Sequence, residues 1–102
     1  MLATIPATMG EILERSALHY GAATALFDGT RGVSHRDCFE TCLRLGNALA
    51  ARGLLAQERV AILMNNGIDM IFAFGAAETH GFVAVPLNWR LARAEILQTV
   101  AD

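Results

Sequence analysis

The sequence predicts an α/β protein, a partial layered domain with a βαβ crossover unit, an N-terminal helix and a small β-hairpin. Two apolar runs of strand length, residues 60–64 and 82–85, lie on either side of a segment with helical periodicity. One face of that segment carries the positions i, i+3, i+4, i+7, i+8 and i+11, which are Ile68, Ile71, Phe72, Gly75, Ala76 and Thr79. Gly81 stands where a left-handed residue ends a helix, and Pro86 ends the second run. A strand, a helix and a strand joined by short links predict a right-handed crossover between parallel strands.

The residues Asn66 and Gly67 allow a second interpretation, because Asn-Gly between apolar runs is typical of a type I′ hairpin. A hairpin partner should alternate apolar and polar residues, and residues 68–77 do not. The same residues are also typical of the start of a helix, in which Asn66 is the N-cap and Asp69 follows three residues later. We therefore adopt the helix and expect Asn66 at its N-cap.

The first half of the chain predicts two helices with a hairpin between them. Thr8-x-x-Glu11 has the pattern of a capping box and opens a helix that ends near Tyr20-Gly21. Residues 25–27 and 33–34 are strand-like, and the turn residues 28–32 join them. Ser34-x-x-Asp37 resembles a second capping box, and Gly53 is the expected C′ residue of the long helix that follows. Two adjacent stripes are predicted on this helix, one of Cys38, Cys42, Leu45 and Leu49 and one of Phe39, Leu43, Gly46 and Ala50.

A further helix is predicted over residues 92–101, with Ile96, Leu97 and Val100 on its inner side. Such a helix should be followed by another strand or a cap, so we interpret residues 1–102 as a piece cut from a longer domain. The sequence contains no Pro- or Ser-rich linker, no internal repeat and no low-complexity tract.

The composition is apolar for a chain of this size. Hydrophobic residues make up 54% of the sequence and the mean hydropathy is +0.39. Because a domain of about 100 residues hides only about 60–70% of its unfolded surface, such a chain either exposes apolar surface or packs against a partner. Charged residues are 18% and the net charge is −2, which argues against a nucleic-acid footprint and a basic membrane patch. No apolar run has the length of a membrane span and the first residues lack a secretory pattern, so we expect a cytoplasmic location.

Cys38 and Cys42 are four residues apart on one predicted helix, and His35 lies one turn before them. A metal site needs more ligands in convergent positions, and His19 and His80 are distant in sequence. A Cys–His nucleophilic pair lacks an evident third group. We therefore expect two buried, reduced and metal-free thiols on a core-facing stripe.

Three other features have a functional and a structural interpretation. His80 falls at a helix C-terminus, where the helix dipole favours a cation, and a structural role is expected. The Met and Phe residues of segment 68–77 either line an acyl pocket or form core, and core is expected. Asn88, Trp89 and Arg90 follow a parallel strand, at the end where ligands gather in open α/β sheets. The structural interpretation, which we adopt, is that Asn88 caps a turn and Arg90 pairs with a carboxylate.

Several stretches together resemble one family: TMGEILE, GVSHRDC, LGNALAARGL, ERVAILMNN and GFVAVPLNWRLARAEI. They are similar to the N-terminal part of AMP-forming acyl-CoA synthetases, in the AMP-binding, adenylate-forming superfamily that also holds adenylation domains and firefly-type luciferases. Within it, PLNWRL looks most like fatty-acid CoA ligases. The chain has Gln57-Glu58 where the family usually has Gly-Asp, and His35 where it usually has an aromatic residue. Both are scaffold positions.

The resemblance implies that residues 1–102 are the N-terminal part of the large domain of an adenylate-forming ligase, truncated before the ATP phosphate-binding loop. The parent enzyme would use ATP, Mg and coenzyme A to convert a carboxylic acid, expected to be a fatty acid, into an acyl-adenylate and then a thioester. A phosphate loop needs Gly, Ser and Thr residues with a Lys, and this chain has no Lys. No catalytic or cofactor-binding residue is therefore assigned, and the fragment alone is expected to be inactive.

Two alternatives from other functional classes remain open. The chain is either a non-catalytic folding or dimerisation module, or a complete small binding protein. Self-association as a homodimer through exposed apolar surface is expected, with the 68–80 helix or a sheet edge in the interface. The remainder of the parent chain is the other expected partner, whereas nucleic acid is not.

Overall fold

A computed structural model describes residues 8–88 and 90–101. The helices are α1 (Met9–Tyr20), α2 (His35–Ala51), α3 (Ile68–His80) and α4 (Arg93–Ala101), and the strands are β1 (Thr24–Phe27), β2 (Gly32–Ser34), β3 (Arg59–Ile62) and β4 (Val83–Pro86). β1 and β2 form an antiparallel hairpin, while β3 and β4 pair in parallel and are joined by α3. The predicted α/β class, the βαβ unit, the N-terminal helix and the small hairpin are confirmed.

Short-range capping signals position α1 and α2. The Thr8 hydroxyl accepts a hydrogen bond from the Glu11 N–H at 3.1 Å, and the Ser34 hydroxyl accepts one from the Asp37 N–H at 3.1 Å. Gly53 follows the end of α2 with a φ of 101°, which is the left-handed conformation expected of a C′ glycine. The predicted boundaries of both helices are therefore confirmed.

The helix α3 spans Ile68–His80, as the sequence predicts, but its N-cap is one residue later than expected. Gly67 is the N-cap, with extended backbone angles of 167° and −175°, and no side chain caps the helix. The expectation that Asn66 is the N-cap is wrong, because the chain stays extended through Gly67 and leaves Asn66 outside the helix. At the other end Gly81 has a φ of 73°, and its N–H and that of Phe82 both donate to the Ala77 carbonyl. The alternative of a hairpin at Asn66-Gly67 is excluded.

The core forms where α1, α2 and α3 pack against one another, and glycines make the close approach to α3 possible. Gly10 of α1 packs against the main chain of α3, since a Cβ on Gly10 would lie 2.7 Å from the Glu78 carbonyl oxygen. Gly46 of α2 lies directly against the His80 ring, and Gly75 of α3 lies directly against the Cys42 sulfur. Small residues therefore allow α3 to approach both α1 and α2 closely.

The buried stripe of α2 differs in part from the predicted one. Cys38, Cys42 and Gly46 are the buried residues of this helix, whereas Leu45 and Leu49 are half-buried. Gly46 was expected on the adjacent stripe; it is buried because it takes the His80 ring at the crossing with α3. The central apolar cluster consists of Val33, Cys38, Cys42, Ile68 and Phe72.

The chain exposes more surface than a compact protein of its size. Its accessible surface is 7248 Å², whereas about 5,600 Å² is expected for a compact 11.0 kDa monomer. The radius of gyration is 15.2 Å, against about 13 Å for a compact domain of 100 residues. On α4, the predicted inner residues Leu97 and Val100 are exposed and Ile96 is half-buried. The exposed apolar surface predicted from the composition is therefore confirmed.

None of the described helices is long and apolar enough to cross a membrane.

Candidate functional site

The carboxyl ends of β3 and β4 lie side by side, because the two strands pair in parallel from Arg59 opposite Val83 to Ile62 opposite Pro86. The Val83 N–H donates to the Glu58 carbonyl and the Leu87 N–H donates to the Ile62 carbonyl, both at 2.8 Å. Ligands of open α/β sheets bind at this end of the strands. The residues that follow β3 and β4 are therefore candidate site residues.

Asn88 serves the turn after β4. Its side-chain oxygen accepts from the Arg90 N–H at 2.9 Å, and its carbonyl accepts from the Leu91 N–H at 3.1 Å. The structural interpretation of Asn88 is confirmed. The ion pair expected of Arg90 stays a prediction, and Trp89 lies outside the described residues.

An apolar groove of about 780 Å³ lies between α2, β3 and α3. Its apolar lining consists of Leu45, Leu49, Val60, Ala61, Ile62, Leu63, Met64, Phe72 and Ala73. Thr41, Arg44 and Asp69 contribute the polar atoms. Volume and lining fall within the range of ligand sites, which are mostly apolar with a few polar groups.

The polar residues at the end of this groove have partners in the structure. Arg31 forms an ion pair with Asp69 at 3.3 Å, and its guanidinium lies 5.4 Å from the centre of the Phe72 ring. Arg44 donates to the Thr41 hydroxyl at 3.3 Å. Phe72 is buried in the core cluster while its ring also lines the groove, so the core interpretation is confirmed for this residue.

Cys38 and Cys42 are free and buried, as the stripe pattern predicted. Burial raises the pKa of the Cys42 thiol to about 12 and also raises the pKa of Cys38. Both residues therefore stay protonated at neutral pH, which makes them poor nucleophiles and poor metal ligands. His35 stacks at a tilt against Tyr20, with ring centres 6.0 Å apart. Within residues 8–88 and 90–101, no three His, Cys, Asp or Glu side chains form a group that could hold a metal ion.

His80 connects α2 to α3 through hydrogen bonds that the sequence does not reveal. Its Nε2 lies 2.8 Å from the Asn47 side-chain oxygen, and its Nδ1 lies 2.9 Å from the Thr79 hydroxyl. The Asn47 side-chain oxygen is an acceptor, so the Nε2–H of His80 donates to it, and the Thr79 hydroxyl also lies 3.1 Å from the Ala76 carbonyl oxygen. The ring also stacks on Phe82, with centres 5.7 Å apart. His80 ends α3 as predicted, and its contacts give it a structural role.

The comparisons with known proteins agree with the resemblance of the sequence. The AMP-binding enzyme family matches residues 13–102. A 2-succinylbenzoate–CoA ligase of Bacillus cereus is 40% identical over 95 residues, which are 93% of this chain and 20% of that enzyme.

Two solved structures share the fold over most of the chain. A crystal structure described as that of a long-chain-fatty-acid CoA ligase from Rhodopseudomonas palustris is 31% identical, with a TM-score of 0.86 over 91% of this chain and 24% of that one. The O-succinylbenzoate coenzyme A synthetase of Bacillus subtilis, solved with ATP and a magnesium ion, is 29% identical, with a TM-score of 0.83 over 88% of this chain and 25% of that one. The 102 residues thus span a quarter or less of each of these relatives.

Proposed function

The chain belongs to the AMP-binding enzyme family, and from that premise we propose that it is the N-terminal part of the large domain of an ATP-dependent acid–CoA ligase. In such an enzyme a carboxylate attacks the α-phosphorus of ATP, pyrophosphate leaves, and the acyl group then passes from AMP to the thiol of coenzyme A. The observation that supports this proposal is the family match over residues 13–102, which covers the whole βαβ unit.

Residues 1–102 contribute scaffold in this proposal. The sequence has no Lys, and a loop that cradles ATP phosphates uses backbone N–H groups with a Lys. We therefore propose that residues outside 1–102 bind ATP, Mg and coenzyme A. The reaction is proposed to take place in the cytoplasm. The 102-residue chain alone is proposed to be inactive.

A fatty acid is the proposed substrate of the whole enzyme. The PLNWRL stretch resembles fatty-acid ligases, and the similar structure from R. palustris is described as a long-chain-fatty-acid CoA ligase. The relatives from the two Bacillus species are named for a benzoate derivative, so aromatic acids are the competing substrate class.

The test begins with the gene. Sequencing through codon 102 shows whether the reading frame continues into a Ser/Thr/Gly-rich loop with a Lys. The product of the whole reading frame is then assayed for ATP-dependent CoA thioester formation with fatty acids and benzoates of matched concentration. We expect thioester with fatty acids, and no acid-dependent ATP–pyrophosphate exchange by the 102-residue chain above a no-protein blank.

Three outcomes would contradict parts of the proposal. Exchange by the 102-residue chain, in material free of host ligases, would refute the scaffold role. Thioester formation with benzoates alone would refute the fatty-acid assignment and leave the ligase assignment standing. A reading frame without a phosphate loop, whose product activates no acid, would refute the ligase assignment itself.

A further inference from the structure

We draw no further inference here: the strongest candidate, the apolar groove along β3 between α2 and α3, lies on a chain that spans a quarter or less of the relatives described above, and nothing in the structure shows what covers it.

Discussion

The replacement of Gly75 by Ala tests whether the contact between α2 and α3 fixes the core. Gly75 lies against Cys42, and a Cβ at this position would overlap the Cys42 sulfur. It would also lie 3.2 Å from the Cys42 Cβ and 3.5 Å from the Leu13 Cδ1. The new methyl group therefore has no open space to enter, and the two helices must move apart.

The expected magnitude follows from two opposing terms. Ala in place of Gly in a helix interior stabilises by about 1 kcal/mol. Overpacking of a core costs about 1–3 kcal/mol, and an overlap with a buried sulfur between two packed helices belongs at the upper end. We expect Gly75→Ala to lower the free energy of unfolding by about 2 kcal/mol, which corresponds to a fall in Tm of about 10 °C for a domain of this size.

Thermal unfolding and urea unfolding measure this change, and a second substitution identifies its cause. Cys42→Ala removes the sulfur that the new methyl group would meet. The double variant should be at least about 1 kcal/mol more stable than the sum of the two single changes predicts. Gly32→Ala is the matched control, because its Cβ would lie 3.8 Å from Phe27 Cδ1, an ordinary contact. It should change stability by less than about 0.5 kcal/mol.

Two results would refute this reasoning. If Gly75→Ala is neutral or stabilising, α2 and α3 are not held in close contact at this crossing. If Gly75→Ala destabilises but the double variant shows only the sum of the single effects, the cost arises somewhere other than at Cys42.

Four further predictions concern the backbone, the thiols and the hairpin turn. Gln57 has a φ of 71°, so Gln57→Gly should raise the free energy of urea unfolding by about 1 kcal/mol and Gln57→Ala should not. Burial raises the pKa of the Cys42 thiol to about 12. The stability that the protonated thiol contributes is therefore fully present below about pH 9 and should fall between about pH 9 and 12. A Cys42→Ala variant that loses the same stability over this pH range would contradict the prediction. Native Cys38 and Cys42 should react with a thiol reagent far more slowly than in denaturant. The Arg31 and Thr30 N–H groups lower the pKa of Asp28, so an NMR titration should place it below 3.8. The stability that this carboxylate adds is present above the ordinary value of 3.8 and should be lost as the pH falls below 3.8 and through the lower folded pKa.

The elements that the sequence predicted correctly are those that local chemistry specifies. Thr8 and Ser34 each accept a hydrogen bond from an N–H three residues later, and Gly81 adopts the left-handed conformation that ends α3. These signals involve residues at most a few positions apart in the sequence, so they can be recognised without knowledge of the fold. The N-cap of α3 was misplaced by one residue because Asn66 and Gly67 are both acceptable N-caps, and no local feature separates them.

The features that the sequence could not predict depend on residues distant along the chain. Gly46 and Asn47 meet His80 only because α2 crosses α3 at that point, and neither residue carries a pattern that indicates it. Gln57 has no local reason to adopt a positive φ, but its N–H donates to the Gly81 carbonyl at 2.8 Å, and the start of β3 is thereby tied to the end of α3. Tertiary hydrogen bonding has overridden the backbone preference of a single residue here.

The position of the exposed apolar surface follows from the way α3 is buried. The sequence of α3 is apolar almost all round, which requires cover on more than one side. Within the described chain α1 and α2 provide that cover, and Gly10, Gly46 and Gly75 allow the helices to approach closely enough. With α2 packed against α3, exposed apolar surface lies in the groove that α2, α3 and β3 line.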